Sequence, residues 1–192
     1  MTVIAPSTDP RLDLLIQRNS APRLAEPGPS EEELQHMLRA ALRSPDHAWL
    51  RPWRFISFRG ERRRDLGELF LRSLLRNQPD ADEAAREKAL GAGLRAPLVI
   101  AVMAALQEHP KVPHWEQKVS AGCAAFSLSL AAEALGYNCV WRTGAYADDA
   151  QLFAELGCEE NEQCVAFLYI GTRSSAAKAL PVLDPDDFHR AW

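Results

Sequence analysis

A long segment that is apolar on nearly every face, Val119 to Leu135, most constrains the fold of this chain. Small residues recur throughout it: Ala121, Gly122, Ala124, Ala125, Ser127, Ser129, Ala131 and Ala132. Its length is typical of a helix, and Gly136 provides a natural C-terminal stop. A helix that is apolar all round is buried. We therefore expect a central helix that packs against its sheet and also against either a second subunit or the rest of the same core.

Four other segments have the pattern of β-strands. Trp53 to Phe58 alternates large apolar residues with polar ones, as a strand with one buried face does. Leu98 to Ala105 is a nearly continuous apolar run with β-branched residues, which indicates a fully buried strand. Cys139 to Trp141 and Cys164 to Ile170 are shorter apolar candidates. The chain is therefore expected to combine a sheet with helices.

The clearest helix start is Ser30-Glu-Glu-Glu33, which fits a Ser-x-x-Glu capping box. Apolar residues then recur with helical spacing at Leu34, Met37, Leu38, Ala41 and Leu42. The same reasoning predicts helices over residues 11–19, 61–76, 80–92 and 148–156. Residues 1–10 have no helical period and are expected to form a flexible lead-in to a single domain over residues 11–192.

Composition excludes several functional classes. The 192 residues are 47% hydrophobic and 25% charged, which is enough for one large core. A net charge of −4 and a pI near 5.8 give no electrostatic case for nucleic acid or for a polybasic membrane patch. No signal peptide or transmembrane run is visible. Four isolated cysteines favour reduced thiols and a cytoplasmic location over a disulfide frame or a zinc site.

The stretch from Arg43 to Phe55 is the strongest candidate for binding chemistry. It leaves a predicted helix, passes through a loop with two prolines and enters a predicted strand. The loop carries Arg43, Asp46, His47, Trp49 and Arg51. Arginine beside aromatic residues suits an anionic, planar ligand, because guanidinium groups pair with anions and stack on rings. The alternative is a polar connector whose tryptophans cap the core.

Two further segments place cations where ligands often bind. Arg18-Asn19-Ser20 follows the first predicted helix and can offer charge-assisted donors to an oxyanion, although Arg18 can equally pair with the helix dipole. Arg142-Thr143 follows the strand over 139–141, and strand ends are typical ligand positions.

The segments outside these three support other interpretations. His109, His114 and Glu116 match no standard metal-ligand spacing, and intervening prolines favour an irregular surface loop over 107–116. The tail from Ala179 to Trp192 is too apolar to be disordered and is expected to dock on something.

Seen together, these segments resemble the nitroreductase family of FMN-dependent oxidoreductases, in particular its short, compact branch. The resemblance covers nearly the whole chain from about Arg11. The matching segments, in order, are Leu14-Leu-Ile-Gln-Arg18-Asn19-Ser20, the Arg43-to-Phe55 stretch with its Pro52-Trp53-Arg54-Phe55, Arg95-Ala-Pro97, Lys111-Val-Pro-His-Trp115-Glu116, Ser120-Ala-Gly122, Trp141-Arg142-Thr143-Gly144 and Phe167-Leu-Tyr-Ile-Gly171.

The resemblance implies an α+β fold in which helices wrap a central mixed sheet. It also implies an obligate homodimer with one FMN at each of two interface sites, and no nucleic-acid or membrane partner. The implied activity is NAD(P)H-dependent reduction of nitroaromatic, quinone-like or related electron-poor acceptors, by ping-pong hydride transfer through flavin N5. The chemistry then belongs to the cofactor, and no side-chain nucleophile is expected.

The resemblance also assigns the cofactor-binding residues. Arg18, Asn19 and Ser20 are expected to bind the flavin phosphate and ribityl chain, and Arg142 is expected to join them, flanked by Trp141 and Thr143. Arg43 and His47 are expected to reach the flavin from the other subunit. No metal ligand is expected.

The chain departs from the family pattern at two positions. Pro22 stands where many members carry a lysine aimed at the flavin ring, with Arg23 next to it, and Arg51 stands where a glutamine is frequent. A cation at position 51 would tighten the binding of an anionic acceptor or partly block the pocket. Two rival functions remain open: a flavin-binding regulatory or storage protein with little turnover, and a flavin-free structural dimer.

Overall fold

Five strands form the sheet in the part of the chain that the computed structural model describes, residues 9–192. They are β1 (Leu24–Ala25), β2 (Trp53–Arg59), β3 (Leu98–Ala105), β4 (Asn138–Arg142) and β5 (Glu162–Arg173). The order is β1-β5-β3-β2, and β4 pairs with β5. The four strands predicted from the sequence are present, while the two-residue β1 is too short to leave a pattern. The lead-in expected over residues 1–10 lies outside the described residues, apart from Asp9 and Pro10.

Every adjacent pair of described strands is antiparallel. The combination of helices and a sheet is confirmed, but the expectation that the sheet is mixed is wrong for this chain. The connection between β2 and β3 shows the reason. β3 begins at Leu98, which pairs with Arg59, the last residue of β2. The intervening helices therefore return the chain to the same end of the sheet at which β2 finished, so β3 runs in the opposite direction. Periodicity locates strands but carries no information on their direction.

Six α-helices cover the sheet in the described residues. They are α1 (Pro10–Ile16), α2 (Glu31–Ala41), α3 (Arg62–Asn77), α4 (Glu83–Leu90), α5 (His114–Ala134) and α6 (Ala150–Glu155). Short 3₁₀ turns occur at His47–Trp49, Gly91–Leu94 and Pro185–Asp187. The predicted capping box is confirmed: Ser30 accepts a bond from the Glu33 amide, and the Glu33 carboxylate accepts one from the Ser30 amide. The first helix ends three residues before the predicted Asn19.

The two faces of β3 explain its unbroken apolar run. Leu98, Ile100 and Val102 pack with α2 and α5, whereas their neighbours Val99, Ala101 and Met103 pack with α3, α4 and α6. Successive side chains of a strand point to opposite faces, so a strand covered on both sides is apolar at every position. The sheet thus separates two hydrophobic cores, which we call the α5 side and the α3 side.

Helix α5 begins at His114, five residues before the predicted start at Val119. Pro113, in an extended conformation, is the N-cap residue. The segment over 107–116, which was predicted to be an irregular loop, therefore includes the start of the first helical turn. The helix is also not buried all round. Trp115, Val119 and Phe126 are 66%, 56% and 41% exposed. Because these positions share one helical face, α5 has an apolar outer surface that the described residues do not cover, and burial of the whole helix by those residues is contradicted.

The C-terminal tail over residues 179–192 leaves its large apolar side chains uncovered by the other described residues. Val182, Leu183, Phe188 and Trp192 are exposed despite their size.

No helix among the described residues has the length and apolar content needed to cross a bilayer. The four cysteines are free thiols.

Close backbone contacts on the α3 side depend on glycine. A Cβ on Gly67 of α3 would collide with the backbone carbonyl of Leu90 at the end of α4, and one on Gly93 would collide with the carbonyl of Arg63. Helix α3 therefore approaches the segment that leads into β3 more closely than any side chain permits.

We expect Gly67→Ala to lower the free energy of unfolding by about 1–3 kcal/mol, because neither backbone can yield without disturbing the core. Gly91→Ala is the matched control: Gly91 has a helical φ of −71°, and a Cβ added there would meet no heavy atom within 4 Å. That change should be neutral or slightly stabilising. Urea unfolding at equal protein concentration measures both, and equal midpoints for the two variants would contradict the close-approach argument.

Candidate functional site

The outer edge of β4 brings two of the predicted segments into one line. Among the described strands β4 pairs only with β5, and on its other side the Ala21 amide donates to the Cys139 carbonyl at 3.0 Å. Residues 18–20 therefore lie beside Cys139. Trp141 and Thr143 follow two and four residues further along the same edge, or roughly 7–13 Å away at 3.3 Å per residue. The sequence prediction that these segments share a site has a geometric basis in this edge.

A cluster of charged groups surrounds residues 18–20. Arg173, the last residue of β5, donates from Nη2 to the Asn19 carbonyl at 3.0 Å. The Asn19 amide nitrogen Nδ2 donates to the Lys178 carbonyl at 2.6 Å, which ties the start of the tail to the same place. Glu133, near the end of α5, faces Arg18 and Arg173. The cluster thus joins four separate parts of the chain.

The single carboxylate of Glu133 does not balance the positive charge of the two arginines in this cluster. Burial raises the pKa of Glu133 above its ordinary value, although Arg18 and Arg173 favour its charged form. Two guanidinium groups therefore face one carboxylate. Nη1 of Arg173 and Oε1 of Glu133 are both buried without a hydrogen-bond partner among the described residues. The cluster therefore holds an unsatisfied donor and an unsatisfied acceptor, each of which is costly, and an oxygen of a bound anion would satisfy the donor.

The Arg142 side chain lies elsewhere. Its guanidinium sits 5.7 Å from the centre of the Tyr169 ring on the α3 side of the sheet, and its Nε is buried without a partner among the described residues. Cys139, beside the Arg18 cluster, packs on the α5 side. The structure therefore does not bring Arg142 together with Arg18, and Arg173 takes the place beside Arg18. Alternation along β4 is the physical reason, since positions 139 and 142 face opposite sides.

Arg142 lines a cavity of about 340 Å³ at the end of β4. Its other lining residues include Phe70, Arg95, Thr143, Tyr146 and Tyr169. Burial raises the pKa of Tyr169 to about 12, so its phenol is neutral at physiological pH. Aromatic faces and two guanidinium groups therefore border one space, while Trp141 projects to the α5 side with 40% exposure.

The loop after α2 is attached to the N-terminal half of α5. Ser120 donates to the Pro45 carbonyl at 2.6 Å, and Nδ1 of His47 lies 2.7 Å from Oε1 of Glu116. His47 and Glu116 line a cleft of about 180 Å³ together with Cys123. His114 instead pairs with Glu108 at 3.0 Å. No group of three or more potential metal ligands occurs in the described part of the chain.

Arg43 lies on the other side of this loop. It lines a cleft of about 280 Å³ with Trp49, Arg51 and Trp53, away from His47. The two loop residues that were predicted to act together thus occupy neighbouring but separate clefts. Sequence reasoning assigned no role to Asp46, whose carboxylate accepts bonds from the Leu50 and Arg51 amides at 3.1 and 2.8 Å. Side chains of this type commonly bond to nearby amides in loops, which was the available signal.

Arg18 and the Arg43–His47 loop lie near opposite ends of α5. The loop contacts the N-terminal half of the helix, whereas Arg18 faces Glu133 near its C-terminus. Roughly 20–25 Å of helix separates these contacts at 1.5 Å per residue. The loop of a chain therefore lies far from Arg18 of the same chain.

Two residues of this region were missed by the sequence reasoning. Arg173 comes directly after Gly171-Thr172. In that segment only the glycine gave a signal in the sequence, and Gly171 packs tightly against Pro97 and the Ala25 carbonyl. Glu133 is an acidic residue inside a predicted buried helix. A charge in such a position needs partners, and this was a signal for a polar cluster.

Known proteins match this chain over nearly its whole length. A model described as "Nitroreductase family" matches residues 22–172. "Putative NAD(P)H nitroreductase YdjA" of Escherichia coli (strain K12) is 42% identical over 178 residues, which are 92% of this chain and 96% of that protein. A nitroreductase-like family protein from Bacillus cereus has a TM-score of 0.80 at 20% identity, covering 99% of each chain. A nitroreductase with bound FMN from Bacteroides fragilis NCTC 9343 has a TM-score of 0.72 at 22% identity, covering 92% of this chain and 96% of that one.

Proposed function

This chain belongs to the nitroreductase family, and on that premise we propose that it is an FMN-dependent NAD(P)H oxidoreductase. The observation that carries the proposal is the cluster at the β4 edge, where Arg18 and Arg173 face a single carboxylate and offer charge-assisted donors to an anion. The phosphate of FMN is such an anion. The name of the 42% identical relative and the FMN bound by the structural neighbour support the same cofactor and electron donor.

The residues of the Arg18 cluster fit the phosphate end. A phosphate dianion needs two or more charge-assisted donors, and Arg18 and Arg173 supply them. The buried Nη1 donor of Arg173 without a partner is the specific sign of fit. Asn19 and Ser20 would bind the phosphate or ribityl oxygens, as the resemblance implies. The Glu133 carboxylate would accept a hydrogen bond from the backbone amide of Asn19 and would keep the two arginines in place.

The segment Trp141–Thr143 fits the ring end. Arg142 and Arg95 form no ion pair with an acidic side chain among the described residues, and they border the cavity with Thr143. A cation close to the bound ring would stabilise negative charge on it and so raise its reduction potential. We therefore assign Arg142 to the ring rather than to the phosphate. Its stacking contact with neutral Tyr169 would fix the guanidinium in that position.

When bound, FMN would supply the hydride chemistry, a ping-pong transfer through flavin N5 from NAD(P)H to a nitroaromatic, quinone-like or related electron-poor acceptor. The side chains described above would bind and orient the cofactor. None of them is required to form a bond to substrate, which agrees with the absence of a nucleophile–base pair from the predicted site residues. We also propose that residues 11–192 form one domain and that the protein acts in the cytoplasm, where its four free thiols would stay reduced.

The visible absorption spectrum of the purified protein tests this function. We expect a flavin spectrum that bleaches when NADPH or NADH is added anaerobically, because hydride transfer from at least one of these donors would reduce the flavin. A flavin spectrum that persists with both donors would favour a regulatory or storage role with little turnover. A colourless protein that stays colourless after incubation with FMN would reject the proposed function.

The division of roles between Arg173 and Arg142 can be tested by FMN titration. Arg173→Ala should weaken FMN binding by about 10- to 100-fold, as expected for the loss of a charge-assisted phosphate contact. Arg142→Ala should weaken it less and should mainly change the reduction potential. Arg64→Ala, which removes an exposed arginine paired with Glu61, is the control and should bind FMN normally. A larger loss of affinity for Arg142→Ala than for Arg173→Ala would reverse the assignment.

We propose further that the active form is a homodimer in which the Arg43–His47 loop of one subunit reaches the flavin of the other. The loop lies far from Arg18 of its own chain, near the other end of α5, and a second copy would supply the loop to each site. The apolar outer face of α5, with Trp115, Val119 and Phe126, is a suitable surface for that contact. The exposed apolar tail is a second one, since Phe188 and Trp192 contact nothing substantial in their own chain.

Val119→Glu should convert the dimer to a monomer, because it places a charge in the centre of this apolar face. The monomer should also lose most of its FMN affinity, since each site then lacks the partner's loop. Leu94→Glu is a matched control, as Leu94 is 43% exposed but lies on the α3 side. Light scattering coupled to gel filtration measures the mass. A Val119→Glu variant that is monomeric and retains full FMN affinity would disprove the shared site.

A further inference from the structure

The loop between Asp46 and Pro52 holds a strained conformation that its own side chains maintain. Ala48, Trp49 and Arg51 have φ values of 58°, 55° and 49°, in the left-handed region that residues other than glycine rarely adopt. The Asp46 carboxylate compensates by accepting the Leu50 and Arg51 amides. Backbone strain that is kept in place by a dedicated anchor frequently accompanies function. The loop therefore requires an explanation beyond that of a connector.

The strain fixes Trp49 and Arg51 over an open cleft. The guanidinium carbon of Arg51 lies 5.4 Å from the centre of the Trp49 ring, and Trp49 is 77% exposed. A large indole held in solvent without apolar cover is unfavourable unless a ligand covers it. The backbone conformation thus presents a flat aromatic surface with a cation attached to it.

The cleft carries two positive charges that no side chain neutralises directly. Arg43 follows the end of α2 and Arg51 precedes β2, and both line the cleft. Asp46 also lines it, but its carboxylate bonds to backbone amides, and no carboxylate among the described residues forms an ion pair with either guanidinium. The volume, about 280 Å³, is sufficient for a small aromatic molecule. With Arg43 assigned to the flavin, an anionic group paired with Arg51 and a ring stacked on Trp49 would satisfy the remaining features.

We propose that this cleft recognises the anionic substituent of an aromatic acceptor, and that Arg51 is the specificity-determining residue. The proposal rests on the proposed function, in which the loop reaches the flavin site of the other subunit and so lies beside the position of the acceptor. The preferred substrates are then electron-poor aromatic compounds that carry a carboxylate or a similar planar anion. Neutral aromatic compounds of the same size stack on Trp49 but gain no charge pairing.

Binding is the first test, and it needs no turnover. Benzoate and the neutral benzamide have the same size and shape, and calorimetry measures both with the flavin-containing protein as purified. We expect benzoate to bind about tenfold more tightly, with the preference reduced in high salt because exposed charges are screened. Arg51→Gln should reduce the preference to within about twofold, and Arg51→Lys should restore part of it, since lysine keeps the charge but loses the planar fork.

Kinetics then tests the acceptor role. The ratio of kcat/KM for 4-nitrobenzoate to that for 4-nitrobenzamide should fall about tenfold in Arg51→Gln, mainly through the KM for the acid. Using the ratio cancels the different intrinsic reactivity of the two nitro groups. Arg39→Gln removes the same charge one helical turn before Arg43 and outside the cleft, and it should leave the ratio unchanged.

The outcomes separate the two proposals. Equal binding of benzoate and benzamide, or a preference that survives Arg51→Gln, would overturn the assignment of the cleft while leaving the reductase function intact. Selective benzoate binding without reduction of either nitro compound would overturn the acceptor role together with the proposed function. A ratio that falls equally in Arg39→Gln would show that net charge rather than Arg51 sets the preference, and would overturn the specificity role.

Discussion

The packing of helix α5 against the sheet is the constraint on which the rest of the structure depends. Its inner face of alanine, serine and Leu128 lies on β3 and β5, and small side chains allow the close approach. Its N-terminal half anchors the loop after α2, and its C-terminal end supplies Glu133 to the cluster at the β4 edge. One rigid helix therefore sets the distance between two groups of candidate ligand-binding residues. We propose that a second subunit supplies the loop to each site, so the same helix that builds the monomer core would also set the geometry of a dimeric site.

The fold was predictable where local pattern and burial agree. The strand over 98–105 and the capping box at Ser30 were predicted with correct positions, because a doubly covered strand and an N-terminal cap have short-range signatures. Strand direction was not predictable, since it depends on where the helices between β2 and β3 return the chain. The start of α5 was placed too late because its first turn, His114-Trp-Glu-Gln, looks polar and follows two prolines. A proline that caps a helix and one that interrupts a loop look the same in sequence.

The candidate site was predictable as a set of segments but not as a geometry. Residues 18–20 and 141–143 meet at the edge of β4, as the resemblance implied. The position of a guanidinium, however, depends on which face of the strand its residue occupies. Cys139 and Arg142 point to opposite sides, so an arginine assigned to the phosphate from its place in a motif lies instead against Tyr169. Arg173 lies beside residues 18–20 instead, and no motif marked it, because its position depends on the register of β5.

The arginines of this protein show how a site can be built at a cost to stability. Arg142 and Arg173 keep buried nitrogens without partners among the described residues, and Arg43 and Arg51 line one cleft without an ion pair to a described carboxylate, since Asp46 there bonds to backbone amides. Elsewhere in the same chain arginines are neutralised in ordinary ways: Arg76 bridges Asp149 and Glu155 at 2.7 and 3.0 Å. Guanidinium groups without counter-charges repel one another and leave donors unsatisfied, which lowers the stability of the protein without ligands. Because binding an anion removes both penalties, the same deficit increases the free energy of binding. The buried nitrogens of Arg142 and Arg173 that lack partners are therefore positions at which a bound anion would add stability.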